Sequence, residues 1–542
     1  MKNNPLTLSN EQLIQRIVSL ETQLSEQKSV LDDNQKTIID KDIALLKKDK
    51  SLLKKDALLT KKSDKIATLE EYIRYMTQQR FGASSEKWSP DQLGLFDEAE
   101  ILSDDDDAEE STTLVPAHQR KKKRISIPEN LPVTDIIHDL PEHEKFCPHD
   151  NQALKHFSDE CSKQLDYIPA KVTVLNHVRR KYMCPCCNDY FVTAKKPAQP
   201  IEKSIASPGL LSQIATHKYC DGLPLYRQSN LVFKRLGVEL DSTSMANWMI
   251  KCGQLVQPLI NLGLEVLRAQ DVLFMDETVT QVLKEEGRSA SQQSRMWIMT
   301  NNTDQRMVLF HYSPTRETGV AELMLGDFEG TLMTDGYAVY DAVARANELI
   351  THLGCWAHAR RYFKEASDAQ PKGTSGKPEQ ALSYIQKLFR IEAGTKTATT
   401  DEKYRIRQQE SVPILAALKQ WLDKSLRHPV KSAKLTKALT YLSNQWCKLS
   451  RYTENGAWPI DNNLTENCIR PFVIGRKNWL FAATAEGAKA SANLYSLVET
   501  AKANGLEPSA YLKAIFTLLP QAKTVEEIEV LLPWNINAKG RQ

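Results

Sequence analysis

The sequence predicts a multidomain α+β protein, on three observations. A seven-residue apolar rhythm through the first eighty residues asks for one long helix. A small group of cysteines at knuckle spacing follows it. Beyond residue 270 short apolar runs are joined first by polar turns and then by helically spaced segments, the order of a sheet with helices packed on it. At 542 residues the chain exceeds what one ordinary core holds, so several domains are expected.

Composition narrows the class. With 41% hydrophobic and 26% charged residues and no apolar run of bilayer length, the chain reads as soluble and membrane-independent. No basic stretch followed by an apolar one opens it, so a cytoplasmic location is expected rather than a secretory one. The net charge is only +3, from 71 basic and 68 acidic residues, but the acids concentrate in one linker and leave the folded parts more basic. Ten cysteines in this length, several of them isolated, are no disulfide scaffold.

Residues 1–80 carry the rhythm. Ile17, Leu24, Leu31, Ile38, Leu45, Leu52, Leu59, Ile66 and Ile73 stand seven apart, with Leu13, Leu20, Leu69 and Met76 adding a second seam at the two ends. Between those ends the second seam position holds Gln27, Asn34, Lys41, Lys48, Lys55 and Lys62. A homo-oligomerising coiled coil is one reading and a single charged surface helix the other. Residues 81–125 read as a linker, acidic across 97–110 and then abruptly basic at Arg120 to Arg124, a run suited to phosphate contact or to a solvated spacer.

Residues 126–200 form a small module. Cys184 and Cys187 have the CxxC spacing that lets two thiolates share a tetrahedral zinc; Asp150 stands where a matching cysteine would be, so the second pair is Cys147 with His149 or with Asp150. A metal-free ribbon with buried thiols is the alternative. Alternation over 167–182 suggests paired strands, and Arg179, Arg180 and Lys181 on that hairpin could track a phosphate backbone. Residues 201–268 read as helices with short breaks: Pro224 opens one, Gly237 closes it, and Asp241 caps the next. A helix-turn-helix with Asn247 and Lys251 outward and ordinary helix packing both fit.

Residues 269–369 begin the sheet. VLFMDET (272–278) is an apolar run expected to stop at Asp276, and GTLMTDGYAVY (330–340) another that stops at Asp335 before Gly336 turns the chain. Two strand-end carboxylates on neighbouring strands can share a divalent cation; an acid after a strand is also an ordinary turn former or helix cap. Strand-like 280–283, 295–301 and 306–312 lie between them, with a helix over 316–325. After a further strand at 352–355, a helix over 356–369 places His358, Arg361 and Tyr362 on one face. Contact with DNA phosphate or with the active-site water, or a satisfied helix-start cluster, are the readings of His358 and Arg361.

Residues 370–456 read as a helical insertion. In residues 457–503, Asp461, Asn462 or Asn463 can cap a short helix carrying Glu466, with Arg470, Arg476 and Lys477 following. Carboxylates for metal beside cations for phosphate oxygens are what a phosphodiester-handling site needs. Residues 504–542 complete the fold with helices after Asn504-Gly505 and Glu507-Pro508, and a last short helix over 524–532.

The phrases MDET, TDGY, GCWAHARRYF and DNNLTENCIRPFVIGRKNWLF, in this order, resemble the transposases of the insertion-sequence-66 family of bacterial mobile elements. The resemblance runs from about residue 125 to the end. It implies a DDE transposase with a ribonuclease-H-like catalytic core, the triad falling on Asp276, Asp335 and Glu466, a zinc-ribbon-like segment and a zipper-like N-terminus. One departure is Asn467, where the pattern has arginine after the glutamate. The implied chemistry is DNA strand cleavage and transfer at terminal inverted repeats with two Mg²⁺, or Mn²⁺, ions. The implied partners are DNA, further copies of the chain and small accessory proteins of the element. A catalytically silent DNA-binding regulator and a nuclease that does not join strands are the rival readings.

Overall fold

The computed structural model describes residues 10–81, 171–183, 191–370, 376–428, 430 and 432–539. Helix α1 (Asn10–Phe81) runs unbroken for 72 residues, and on it Ile17, Leu24, Leu31, Leu45, Leu52, Leu59 and Ile66 are all more than half exposed. Strands β1 (Lys181–Met183) and β2 (Phe191–Thr193) pair antiparallel, with Met183 opposite Phe191. Of the expected pairing over 167–182, residues 171–180 take no strand and Lys181 and Tyr182 belong to β1. Cys147, His149, Cys184 and Cys187 lie outside the described residues, as do the basic run at 120–124 and the acidic one before it.

Helix α2 (Pro208–Tyr219) starts on the Ser207 hydroxyl with proline in its first turn. A short α3 (Leu225–Arg227) continues into a π-helical turn, Gln228–Phe233. Asp241 caps α4 (Ser242–Leu255) by accepting from Ser244 N, and α5 is Gln257–Arg268. Then come β3 (Val272–Lys284), β4 (Gln293–Thr300), β5 (Val308–Ser313), α6 (Thr318–Leu325), β6 (Gly330–Thr334), α7 (Ala338–Ala346), β7 (Ile350–Gly354) and α8 (Trp356–Asp368). The insertion supplies α9 (Lys377–Gly394), α10 (Thr400–Ile406), α11 (Val412–Leu426) and α12 (Ala433–Ser450). Helix α13 (Asn463–Trp479), β8 (Ala482–Thr484), α14 (Ala485–Ala503), α15 (Pro508–Leu518), α16 (Val525–Glu529) and α17 (Pro533–Lys539) follow.

Three expectations are corrected. Asp276 does not end its strand: β3 continues for eight residues past it, because the next acid, Glu277, is bound by Arg316 (Nε to Oε1, 2.7 Å) and β-branched residues resume at Thr278 and Val279. The helix carrying Glu466 is not short either. It passes through Pro471, which withholds one backbone donor from the carbonyl of Asn467. The helix expected last is also followed by another, α17.

Described residues fall into two compact units. The first holds α1, Arg268–Asp276 and Glu317–Asn467. Its sheet portion is parallel: Phe274 lies opposite Met333 and Met333 opposite Leu353. Val272, Phe274, Met333, Leu353 and Cys355 form one buried layer, while Leu273, Met275 and Leu332 are buried too, as expected of parallel strands covered on both faces. A second core belongs to the insertion and α8, where Trp356, Phe363, Ile385, Leu418, Leu439 and Leu442 meet.

The second unit holds the β1–β2 pair, α2 to α5, Glu277–Arg316 and Cys468 onward. Strands β4 and β5 pair antiparallel with Ile298 opposite Phe310. Helix α14 satisfies two β5 amides with its own hydroxyls, Phe310 N to Ser496 Oγ (2.8 Å) and Val308 N to Thr500 Oγ1 (3.0 Å). Gly253 of α4 lets that helix approach α14 closely, since a Cβ there would lie 2.5 Å from Ala490 Cα. The far part of β3 pairs with β8, Val282 opposite Ala482. No described helix is long and apolar enough to cross a membrane.

Candidate active site

Three carboxylates singled out in the sequence all belong to the first unit. Asp276 follows four buried residues of β3 and is half-buried. Asp335 follows β6, where the chain turns; its Oδ1 accepts from Tyr337 N (2.9 Å) and its carbonyl from the Tyr441 hydroxyl (2.7 Å). One of its oxygens therefore serves the turn, as the plain reading of a strand-end acid predicts. Gly336 takes φ +88° beneath Gln445, whose amide donates to the Gly336 carbonyl (3.3 Å).

Glu466 sits in the first turn of α13 and is buried, 6% exposed. Asn462 starts that turn: its carbonyl accepts from Glu466 N (3.2 Å) and its side-chain oxygen from the Thr465 hydroxyl (2.8 Å). Its amide nitrogen donates to the carbonyl of Met275 (3.0 Å), one residue before Asp276. A single buried asparagine thereby ties the helix bearing one acid to the strand bearing another. The backbone N–H of Asn462 also reaches the buried Cys355 thiol (3.2 Å), whose own ionisation burial pushes well up.

Helix α8 begins at this point. His358 Nδ1 lies 3.3 Å from Glu466 Oε1, and burial, with the charge of Arg361 added, holds the imidazole well below its ordinary pKa. A neutral ring makes this a polar contact rather than an ion pair. For Arg361 burial works against the charge, but Glu466 above all, and further on Asp276, outweigh it and hold the guanidinium cationic. Tyr362 and Tyr441 feel Asp335: burial first, then surrounding charges including that carboxylate, raise both phenols. Arg361 therefore lies in the field of two of the acids, and the two tyrosines in that of the third.

Among the described residues no three His, Cys, Asp or Glu side chains are grouped so as to hold a metal ion. Three carboxylates are the donors a hard divalent cation takes. As placed, however, Asp276, Asp335 and Glu466 are not gathered into one cage.

The remaining sequence candidates are in the second unit. Arg476 points inward, bonding the Val279 carbonyl and the Thr278 hydroxyl of β3. Arg470 is half-buried and Lys477 exposed. Arg179, Arg180 and Lys181 are exposed, with Arg179 Nε donating to Ala194 O (2.7 Å) alongside the β1–β2 pair. Asn247 and Lys251 are exposed on α4. Sequence reasoning missed Tyr441 and Gln445, which reach the Asp335 turn from the insertion; contacts across 106 and 109 residues leave no periodic signal. Cys355 stands inside a phrase that was noticed, but its role was not; Asn462 was a candidate to start its helix and does so, while its bond to Met275 was missed.

Comparison with known proteins gives four family matches. Residues 203–490 match the Transposase IS66 family, 496–534 the IS66 C-terminal element, 144–188 the zinc-finger binding domain of transposase IS66, and 68–136 a segment described as Transposase C of IS166 homeodomain. The chain is 32% identical over 391 residues to the uncharacterized protein y4qI of Sinorhizobium fredii (strain NBRC 101917 / NGR234), covering 70% of this chain and 71% of that one. It is 28% identical over 501 residues to y4jD of the same organism, covering 88% and 96%.

Proposed function

The chain belongs to the IS66 transposase family, and from that premise we propose that it is a DDE transposase. It binds the terminal inverted repeats of its element and cuts and joins DNA strands through Asp276, Asp335 and Glu466, on a ribonuclease-H-like core. The observation that carries this reading is the convergence on α8. Asp276 and Glu466, 190 residues apart in sequence (466 minus 276), act on the one guanidinium of Arg361, and Asn462 fastens their two elements together. Parallel strands carrying Asp276 and preceding Asp335 are consistent with such a core.

Divalent cations, Mg²⁺ or Mn²⁺, when bound supply charge for the scissile phosphate and a more acidic attacking hydroxyl. The work of the chain's own residues is separate. Arg361, held cationic in the field of Glu466 and Asp276, is the group that would take a DNA phosphate beside these acids. Neutral His358 lies against Glu466 without competing for its charge. Asn462, Cys355, Tyr441 and Gln445 hold the backbone on either side of the acids.

The other parts of the proposal follow the sequence. Cys147, His149, Cys184 and Cys187 hold one zinc, a reading favoured by the match over 144–188 and by the β1–β2 pair that brackets the last two cysteines. Arg179, Arg180, Lys181, Arg470, Arg476 and Lys477 contact DNA, Arg476 while its Nη1 also braces β3. Helix α1 joins copies of the chain, and the division into the eight segments read from the sequence is part of the same proposal.

Replacing Asp276 or Asp335 by Asn, or Glu466 by Gln, should abolish cleavage and joining of end-repeat DNA while leaving its binding. A variant with normal joining would remove that residue from the triad. Cutting without joining by the intact protein favours the nuclease, and binding without cutting the silent regulator.

A further inference from the structure

Between α13 and β8 the chain makes a three-residue turn at Trp479, Leu480 and Phe481. Leu480 N donates to Arg476 O (2.7 Å) and Phe481 N to Trp479 O (2.8 Å), with Leu480 at φ +66° between them. An i to i+2 hydrogen bond around a positive φ is the rare, strained kind of γ-turn, and at a branched side chain such strain needs a reason. The reason is not packing, because Leu480 is 65% and Phe481 43% exposed.

The turn is rigidly based. Asn478 Nδ2 donates to Gly222 O (2.9 Å), Trp479 lies against Tyr495 (6.5 Å between ring centres), and β8 pairs with β3 directly afterwards. Beside it, Lys218 holds its ammonium 4.2 Å over the Trp479 ring and 5.6 Å from that of Tyr219. Among the described residues this ammonium has no carboxylate or carbonyl partner, and burial draws its pKa down to about 8. Lys477, two residues before Trp479, is exposed. Two outward apolar side chains on a fixed base, flanked by an unpaired and an exposed cation, match DNA. Apolar wedges enter a base step while cations hold the neighbouring phosphates.

We propose that the Trp479–Leu480–Phe481 turn is a DNA wedge: Leu480 and Phe481 enter and unstack a base step of bound duplex, and Lys218, seated on Trp479, holds an adjacent phosphate. The proposal rests on the reading of the chain as a DNA-processing protein, but it concerns binding and not the acids.

The test uses the full chain and a duplex from the end of its own element, carrying 2-aminopurine at successive positions. On binding, one position should brighten about threefold or more as its base unstacks. Leu480→Gly should lose that brightening while keeping the fold, since glycine occupies a positive φ without strain. Phe481→Ser should lose most of it. Lys218→Met should weaken binding by about tenfold and lower the salt slope by about one.

Duplex binding with no position brightening overturns the wedge and leaves the proposed function standing. Brightening that survives Leu480→Gly and Phe481→Ser overturns the residue assignment. A change in oligomeric mass in Leu480→Gly, with brightening intact, gives the turn to a protein contact and also overturns it. Failure to bind any duplex removes both this proposal and the reading it rests on, whereas an inactive Glu466→Gln protein that still brightens supports it.

Discussion

Arg407 offers the sharpest test of how the insertion supports the approach to Glu466. Its guanidinium is fully buried at a π-helical turn and spans Glu392 with two bonds (2.8 and 2.6 Å). It also donates to the carbonyls of Tyr452 (2.7 Å), Asn455 (2.6 Å) and Trp458 (2.9 Å), the segment that leads to Asp461. Replacing it by Met leaves a carboxylate and three carbonyls without their donor. Stranding one member of a buried pair costs about 3–5 kcal/mol, and the carbonyls add to that only as far as water fails to enter. At about 1.4 kcal/mol per decade, amide protection in α9 and α12 should fall by roughly two to three orders of magnitude in hydrogen exchange. Arg407→Met with Glu392→Leu should recover part of it, because the stranded charge is gone. Protection in Arg407→Met within about fivefold of the parent protein, or a double variant as weak as the sum of the singles, would refute the clamp.

Three further outcomes are expected. Gly253→Ala should destabilise the second unit by about 1–3 kcal/mol in urea unfolding because its Cβ meets backbone at 2.5 Å. Gly263→Ala meets only the flexible end of Met307 and should cost less. On acidification the β7 and α7 region should loosen in two steps, followed by exchange of their amides. Burial keeps His352 below its ordinary 6.5, so stability falls as pH drops below that value and the unfolded imidazole takes up protons first. Asp341 follows: burial raises its pKa, but bonds from His352 and Lys448 outweigh this and bring it to about 2, so its contribution is full above 3.8 and lost between there and about 2. His352→Gln should erase the first step and leave a smaller second one, carried by the bond from Lys448. Lastly, deleting residues 1–80 should reduce oligomeric mass in light scattering and leave single-site DNA contact; unchanged mass would remove the pairing role of α1.

Much of the fold was legible because local chemistry decides it. Seven-residue spacing gives α1, Asp241 and Glu507 cap helices by their own side chains, and Asn504-Gly505 ends α14 with Gly505 at φ +71°. What misled was chemistry settled at a distance. Asp276 and Glu277 look like a strand end, yet Arg316, 39 residues on, takes Glu277 and the strand continues. Arg476, read as a phosphate contact, also engages Val279 and Thr278 through its Nη1, across nearly 200 residues of chain. In the candidate site the acids could be picked out, since each stands in a short distinctive phrase. Their supports could not: Asn462 finds Met275 across 187 residues, and no spacing announces that.

The central claim is that Asp276, Asp335 and Glu466 close around divalent metal once DNA is bound. Substituting Fe²⁺ for Mg²⁺, with ascorbate and peroxide to generate hydroxyl radicals at the metal, cuts the backbone next to its ligands. With end-repeat DNA present, cuts are predicted beside all three residues, weaker or missing at Glu466 when DNA is left out. Cuts near Asp276 and Asp335 with none at Glu466 in the DNA complex would contradict the account.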